Sequence, residues 1–202
     1  MSADAVSNSK RRFLVAATSV VGAVGAGFVA VPFIKSWKPS AKALAAGAPV
    51  LADISKLEEG QMITVEWRGK PVYILKRTDE NLKVLESDVD MLADVNSDAS
   101  KQPEYCKNIA RSYDAHKKIS VMEGVCTHLG CAPKYVPDLN NPFAGSLGSD
   151  WKGGFFCPCH GSIYDLSGRV YKSMPAPTNL PVPPHMFKSD TVILIGQDGS
   201  NA

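Results

Sequence analysis

Nine residues of this 202-residue chain carry side chains that bind transition metals well, five cysteines and four histidines, and six of the nine fall in two short boxes. The first box is Cys126-Thr127-His128-Leu129-Gly130-Cys131 and the second is Cys157-Pro158-Cys159-His160-Gly161-Ser162. Each offers one Cys–His pair and one spare cysteine. Two thiolates on one iron and two imidazoles on the other make a mixed-ligand 2Fe–2S cluster. An ordinary 2Fe–2S cluster has four anionic thiolates. Exchanging two for neutral imidazoles removes negative charge, so the reduced form is less disfavoured and the potential rises, to roughly −150 to +300 mV. That range suits an acceptor of electrons from a quinol. Each imidazole also keeps a second ring nitrogen that holds or releases a proton while the first binds iron, so such a centre couples electron to proton movement.

Structural zinc is the plain alternative. Zinc takes four ligands, and its boxes usually contribute two each, as C-x2-C or H-x3-5-H. Here the spacings are C-x-H and C-x-x-H, and four zinc ligands would leave two cysteines over. A Cys/His protease fits less well still, because both boxes are too rich in Gly and Pro for a nucleophile's setting.

On these boxes the chain resembles the Rieske iron–sulfur subunit of the bacterial cytochrome bc complexes, the ubiquinol:cytochrome c reductases. The likeness runs from the N-terminal anchor to the C-terminus. It implies that Cys126, His128, Cys157 and His160 bind one 2Fe–2S cluster. It implies that Cys131 and Cys159 form the disulfide tying the two loops together, and that His128 and His160 carry the proton coupling. Ser162 and Tyr164 match residues whose hydroxyls bond a bridging sulfide and a ligand cysteine sulfur, and donors to sulfur raise the potential. Leu129, Gly130 and Pro175 match positions close around the site. Met174-Pro175-Ala176-Pro177 stands where the family has a Pro-rich covering loop, commonly Gly-Pro-Ala-Pro, so Met174 is a departure. Leu129 has two readings, a quinol contact as in the family or plain packing under the loop.

The resemblance further implies an electron-transfer subunit working with a cytochrome b subunit and a c-type cytochrome subunit in a dimeric complex, with quinol at the subunit interface. A rival is the small Rieske subunit of a periplasmic arsenite oxidase, which shares the boxes and the export signal. A soluble Rieske ferredoxin feeding an oxygenase would lack the anchor and the second cysteine pair.

These loops need a carrier. Residues 1–49 hold six Lys/Arg and one acid, a charge of +5; residues 50–202 hold sixteen Lys/Arg and nineteen acids, a charge of −3. A mildly acidic head argues against nucleic acid. From Phe13 to Ile34 run 22 residues without a charge, roughly 33 Å as a helix and enough to cross a bilayer. Trp37 between Lys35 and Lys38 makes an interfacial belt. Ser9-Lys10-Arg11-Arg12-Phe13-Leu14 looks like a twin-arginine export signal. A cleaved signal is the competing reading, with sites imaginable at Ala41-Lys42-Ala43 or near Ala45–Ala48. The expected division is therefore 1–12, a cytoplasmic N-terminus with the twin-arginine motif; 13–36, a transmembrane anchor; 37–49, a flexible hinge; and 50–202, a head in the periplasm of a bacterial inner membrane. Within the hinge, Ala favours helix and Gly47–Pro49 break it.

The expected fold is mainly β, a small antiparallel Rieske head with two cluster-binding loops, tethered to one N-terminal transmembrane helix. Alternation marks strands at Met62–Trp67 and Pro71–Lys76 around the turn Arg68-Gly69-Lys70. Ile119–Val125 should lead into the first box and Gly154–Phe156 into the second. Ser167-Gly168-Arg169 reads as a hairpin turn, Thr191–Ile195 as a closing strand, and 177–184 as too Pro-rich to be regular. Residues 88–117 look like an insertion with weak helical patterning, and 137–150 like a long loop between the boxes. Cys106, His116 and His185 lie outside the boxes and read as incidental: a free thiol and two surface or packing histidines.

Overall fold

The computed structural model describes residues 7–87, 89–138, 140–149 and 151–199. Residues 1–6 of the expected cytoplasmic N-terminus lie outside them, as do residue 88 of the expected insertion and residues 139 and 150 of the long loop. The chain divides into two units between Ala45 and Ala46.

The first unit is helical. Helix α1 spans Asn8–Ser36, five residues earlier than the charge-free run begins. Nothing between Asn8 and Phe13 breaks a helix, so Lys10, Arg11 and Arg12 wind into its first turns. Its 29 residues extend roughly 44 Å at 1.5 Å per residue, and it is long and apolar enough to cross a membrane. Phe13, Val21, Phe28 and Phe33 all stand exposed on it. The expected hinge contains a short second helix, α2, Ala41–Ala46. Ser40 starts it by accepting the Ala43 N–H on its hydroxyl at 3.1 Å, the usual work of a helix N-cap.

The second unit is built from three three-stranded antiparallel sheets. The central one joins β2 (Met62–Trp67), β3 (Lys70–Lys76) and β4 (Ile119–Glu123). Trp67 pairs with Lys70, so the connection is a two-residue turn. Arg68 and Gly69 both take positive φ, 53° and 71°, the geometry that matches the twist of a hairpin. Strand β3 is apolar on both faces, because successive side chains point to opposite sides. Val72 and Ile74 enter one core with Ile119, Val121, Ile193 and Ile195. Tyr73 and Leu75 enter the other with Met122, Phe155, Tyr164 and Leu166.

The first of these cores lies against the sheet of β1 (Val50–Asp53), β9 (Val192–Ile195) and β8 (His185–Ser189). The second lies against the sheet that carries the boxes: β5 (Lys134–Val136), β6 (Gly154–Phe156) and β7 (Ile163–Tyr164). Strand β4 stops at Glu123, short of the expected Val125: the Gly124 N–H still donates to Pro71 O at 2.8 Å, but Pro71 has no N–H to return and the ladder ends there. The closing strand starts at Val192, since Ser189–Thr191 make the turn from β8.

A helix that the sequence reading did not mark precedes 88–117. Helix α3 runs Asp79–Ser87 and opens on a reciprocal cap: Thr78 Oγ1 accepts the Asn81 N–H at 3.1 Å while Asn81 Oδ1 accepts the Thr78 N–H at 3.0 Å. Beyond it the described residues make only single 3-10 turns at Val89–Met91, Glu104–Cys106 and Asp114–His116. Side chains pin this segment. Tyr105 and Tyr113 stack at 4.1 Å and both donate to His185 O at 2.8 Å. His185 is thus a packing residue, and burial pushes its pKa down to about 4. His116 stacks on Phe187 at 3.8 Å.

One glycine links the central sheet to the first box. A Cβ on Gly124 would fall 2.3 Å from Tyr73 Cζ, and Tyr73 reaches past it to donate to Pro133 O at 2.8 Å. Gly124→Ala should displace the ring and destabilise the head by about 1–3 kcal/mol, the usual cost of overpacking. Thermal unfolding of the full chain measures it; an unchanged midpoint would mean that the ring moves aside freely.

Candidate metal centre

The two boxes hang from the third sheet as a pair. The first connects β4 to β5 and the second connects β6 to β7. They share one backbone pattern. In the first, Cys126 N–H donates to Cys131 O at 2.7 Å and Gly130 N–H to Cys126 O at 3.0 Å. In the second, Cys157 N–H donates to Ser162 O at 2.8 Å and Gly161 N–H to Cys157 O at 2.9 Å. Gly130 and Gly161 close these loops with φ of 87° and 79°, where a side chain would be strained. The spacings C-x-H and C-x-x-H thus sit on the same loop, the histidine displaced by one residue.

The structure joins Cys131 to Cys159 in a disulfide, clamping one loop to the other. Cys126 and Cys157 stay free and are 3% and 1% exposed. Their thiols interact, and burial foremost pushes the Cys157 thiol up. Metal binding displaces such a proton, since the ligand is the thiolate. The rings of His128 and His160 face each other edge-on at 4.7 Å. Nδ1 of His128 is buried without a hydrogen-bond partner, so a ring nitrogen points inward with no protein acceptor or donor to meet it. Two free buried thiols, two opposed imidazoles and an orphaned ring nitrogen are the donor set and the vacancy of bonding that an iron–sulfur cluster satisfies. Zinc is served less well. The cysteine trio with sulfurs within 4.8 Å of one another is Cys131, Cys157 and Cys159, and two of these are consumed by the disulfide.

Of the two hydroxyls expected near sulfur, Tyr164 meets a cysteine sulfur in the structure and Ser162 meets a backbone N–H. Tyr164 Oη lies 3.2 Å from Cys126 Sγ. Burial first, and Cys126 next, raise the phenol's pKa, so the hydroxyl keeps its proton and is a donor at neutral pH. Ser162 Oγ accepts the Ala176 N–H at 3.1 Å, which ties the Pro175–Pro177 loop to the second box. The departure at Met174 costs no unusual φ there; Ser173, one residue earlier, takes the left-handed conformation with φ 60°, and Met174 packs on the core. Leu129 is 72% exposed, which removes the packing reading, and His160 is exposed as well. Sequence reasoning missed Thr127. Its Oγ1 donates to Thr178 O at 2.6 Å and lies 3.3 Å from Tyr164 Oη, so it binds the first box to the residue just after the Pro-rich loop. A threonine next to a ligand gives no sequence signal for that contact. Cys106 is free and wholly buried away from the boxes.

If Tyr164 and Ser162 donate to sulfur, Tyr164→Phe and Ser162→Ala should each lower the midpoint potential. A loss of about 60 mV apiece is expected, the one-electron equivalent of about 1.4 kcal/mol for a hydrogen bond to a charged acceptor. The iron content should not change. Equal potentials in wild type and both variants would remove these hydroxyls from the tuning of the site.

A β head whose paired, disulfide-locked loops present two free thiols and two imidazoles is a protein of the Rieske iron–sulfur class. Residues 90–184 match the family model described as Rieske 2Fe-2S domain. Residues 1–40 match the model described as Ubiquitinol-cytochrome C reductase Fe-S subunit TAT signal. The chain is 55% identical over 202 residues to the ubiquinol-cytochrome c reductase iron-sulfur subunit of Allochromatium vinosum, covering 100% of this chain and 95% of that one. It is 46% identical over 195 residues to the same subunit of Blastochloris viridis, covering 96% and 97%. Over 189 residues it is 44% identical to that of Bradyrhizobium diazoefficiens, covering 93% and 94%. The chain belongs to the family of ubiquinol–cytochrome c reductase iron–sulfur subunits, and its head is a Rieske domain for one 2Fe–2S cluster. It is an electron-transfer subunit of a bacterial respiratory complex, with a twin-arginine signal and one apolar helix to anchor it. None of these relatives is an arsenite oxidase.

Proposed function

We propose that this subunit takes one electron and a proton from quinol held by a cytochrome b subunit and hands the electron to a membrane-bound c-type cytochrome, within a dimeric complex. The observation that carries the reading is the tip of the head, where free buried Cys126 and Cys157 sit behind the facing rings of His128 and His160. Cys126, His128, Cys157 and His160 hold the cluster. When bound, it supplies a one-electron acceptor in the range that quinols can reduce.

The chain's own residues do the rest. The exposed ring of His160, with His128 beside it, offers an imidazole nitrogen to a quinol hydroxyl and carries the proton away. Exposed Leu129 gives the quinol's apolar ring a contact next to that imidazole. Cys131–Cys159 and the Pro175–Pro177 loop keep solvent from the buried sulfurs. Tyr164 and Ser162 donate to sulfur. The disulfide suits an oxidising compartment, which supports a head in the periplasm, with residues 1–12 on the cytoplasmic side and α1 as a single-pass anchor in the inner membrane. The segment 37–49, helical only over Ala41–Ala46, serves as the hinge that lets the head visit two partners.

Isolation of the intact complex from membranes tests this. The chain should co-purify with b- and c-type haem proteins, contain two irons and two labile sulfides, and show a low average g value on reduction. Its midpoint should fall with pH above neutrality, by about 59 mV per unit for one proton per electron. A molybdenum-containing partner, or a chain full of zinc and free of iron, would overturn the reading.

A further inference from the structure

An open cavity of about 680 Å³ lies on the flank of the head, between the β2–β3 turn and the Pro-rich segment 181–184. Its charged lining is Arg68, Lys70 and Lys101 against one acid, Glu123. Lys70 and Glu123 answer each other at 2.8 Å. Among the described residues, Arg68 and Lys101 form no salt bridge. Two unanswered cations therefore line one groove, on a head whose residues 50–202 carry a net charge of −3.

The Arg68 side chain is held ready. Its guanidinium lies 4.4 Å over the Trp67 ring, which keeps the planar cation flat and leaves its N–H edges outward. Its backbone is strained: Arg68 takes φ 53° at a turn position where Asn, Asp or Gly is the usual choice. Stacking on an exposed face gains no more than that conformation costs, so stability alone does not account for an arginine here. Strain of this kind gathers where a side chain has work to do. The facing wall is different in kind. Pro181 and Pro184 have no N–H, and their carbonyls already accept from Glu123 N–H at 2.8 Å and Gly196 N–H at 2.7 Å. That wall presents mainly ring carbons.

We propose that this groove docks an extended, acidic segment of a partner subunit. One carboxylate takes the edge of the Arg68 guanidinium in the paired geometry that arginine favours, and a second faces Lys101. An extended chain sends alternate side chains to opposite sides, so apolar residues between the acids lie on the proline wall. A lone phosphate headgroup would leave that wall and one cation without a partner, which favours peptide over lipid. Thr127, next to Cys126, also lines the cavity, so the docked segment holds its owner beside the first box. The proposal rests on the chain's place in a complex and not on the quinol chemistry.

The test uses the intact complex, whichever partners co-purify, treated with a carbodiimide that joins lysines directly to carboxylates. Peptide mass spectrometry should find Lys101 joined to an Asp or Glu of a partner subunit. Arg68→Lys places a reactive amine in the groove and should add a second link to the same segment. Arg68→Gly relieves the turn, so its unfolding midpoint should equal or exceed that of wild type. Its Lys101 cross-link should nevertheless fall by about fivefold or more, as for loss of a hydrogen-bonded charge. Co-purification with haem proteins decides the proposed function separately. Lys101 joined to nothing or only to its own chain, no new link in Arg68→Lys, or an undiminished Lys101 link in Arg68→Gly would each overturn the docking surface. Loss of bound anionic phospholipid from Arg68→Gly with its cross-links intact would assign the groove to lipid instead, and overturn it too.

Discussion

Cys157→Ser should empty the head of iron, lowering both iron and labile sulfide to background and abolishing the reduced-state resonance. The buried free cysteines of the chain are Cys106, Cys126 and Cys157, and only the last two face each other across the paired loops. A serine oxygen at position 157 is a harder, more basic and less polarisable ligand than thiolate, poorly suited to iron–sulfur chemistry. In the proposed ligand set, removing one anionic thiolate would also leave one iron half-held by a loop that has no other donor to offer there. His160 is in the same loop but belongs to the imidazole pair, and Cys159 is engaged with Cys131. Cys126→Ser should fail in the same way. Cys106→Ser is the control: it lies in the 3-10 turn Glu104–Cys106, and its loss should leave iron and sulfide at wild-type levels while disturbing only packing. Metal analysis and reduced-state EPR of the three variants decide the matter. A Cys157→Ser chain with full iron content would strike Cys157 from the ligand set, and loss of iron from Cys106→Ser alone would redraw it entirely.

How much of this was readable beforehand differs by element, for physical reasons. Strands β2, β3 and β6 were legible because their side chains alternate or run apolar within a few residues, and the turn between β2 and β3 was marked by Gly69. The ligand boxes were legible because cysteine and histidine are rare and their chemistry is local. Strands β1 and β8 were not. Val50–Asp53 is a four-residue edge strand with one buried side chain. His185–Ser189 follows a Pro-rich run, carries a bulge between Phe187 and Ser189, and gains its register from β9, far from local propensity. Helix α3 was missed because its start depends on the Thr78–Asn81 cap, a weaker pattern than the Ser/Thr-x-x-Glu box usually sought. Residues 89–117 have little periodicity because they are held by buried side chains instead: Arg77 alone donates to Ala110 O, Ser112 Oγ and Lys117 O. Such an arrangement makes long-range bonds from single residues, and sequence offers no period by which to see them. Leu129 shows the same limit at the site, since a leucine beside a ligand reads equally as core or contact until its exposure is known.

The disulfide should matter more for the site than for the fold, and the size of each effect can be separated. Cys131 and Cys159 are 28 residues apart in sequence, and closing a loop of that length stabilises the folded chain by about 3–4 kcal/mol on the chain-entropy account. That is roughly a 6–16 °C fall in unfolding midpoint on its removal, for a head of this size. The sheet is not expected to collapse, because β5 and β6 remain paired directly from Lys134–Phe156 to Val136–Gly154. The loops lose more. With the bridge gone, the first box is tied to its surroundings mainly by Thr127 to Thr178 O and by Tyr164, and the second mainly by Ser162 to Ala176. Among the described residues, no covalent link then joins one loop to the other over the buried sulfurs. Cys131→Ser and Cys159→Ser should each show a lower midpoint potential and faster loss of iron to a chelator. The double variant should resemble either single one, because each single change already removes the whole bond and the effects cannot add. Dithiothreitol should accelerate iron loss from wild type toward the variants' rate and leave the double variant unmoved. Iron retention in both single variants equal to wild type, or native thiols at 131 and 159 that alkylate while the iron stays in place, would show that the loops hold the site without the bridge.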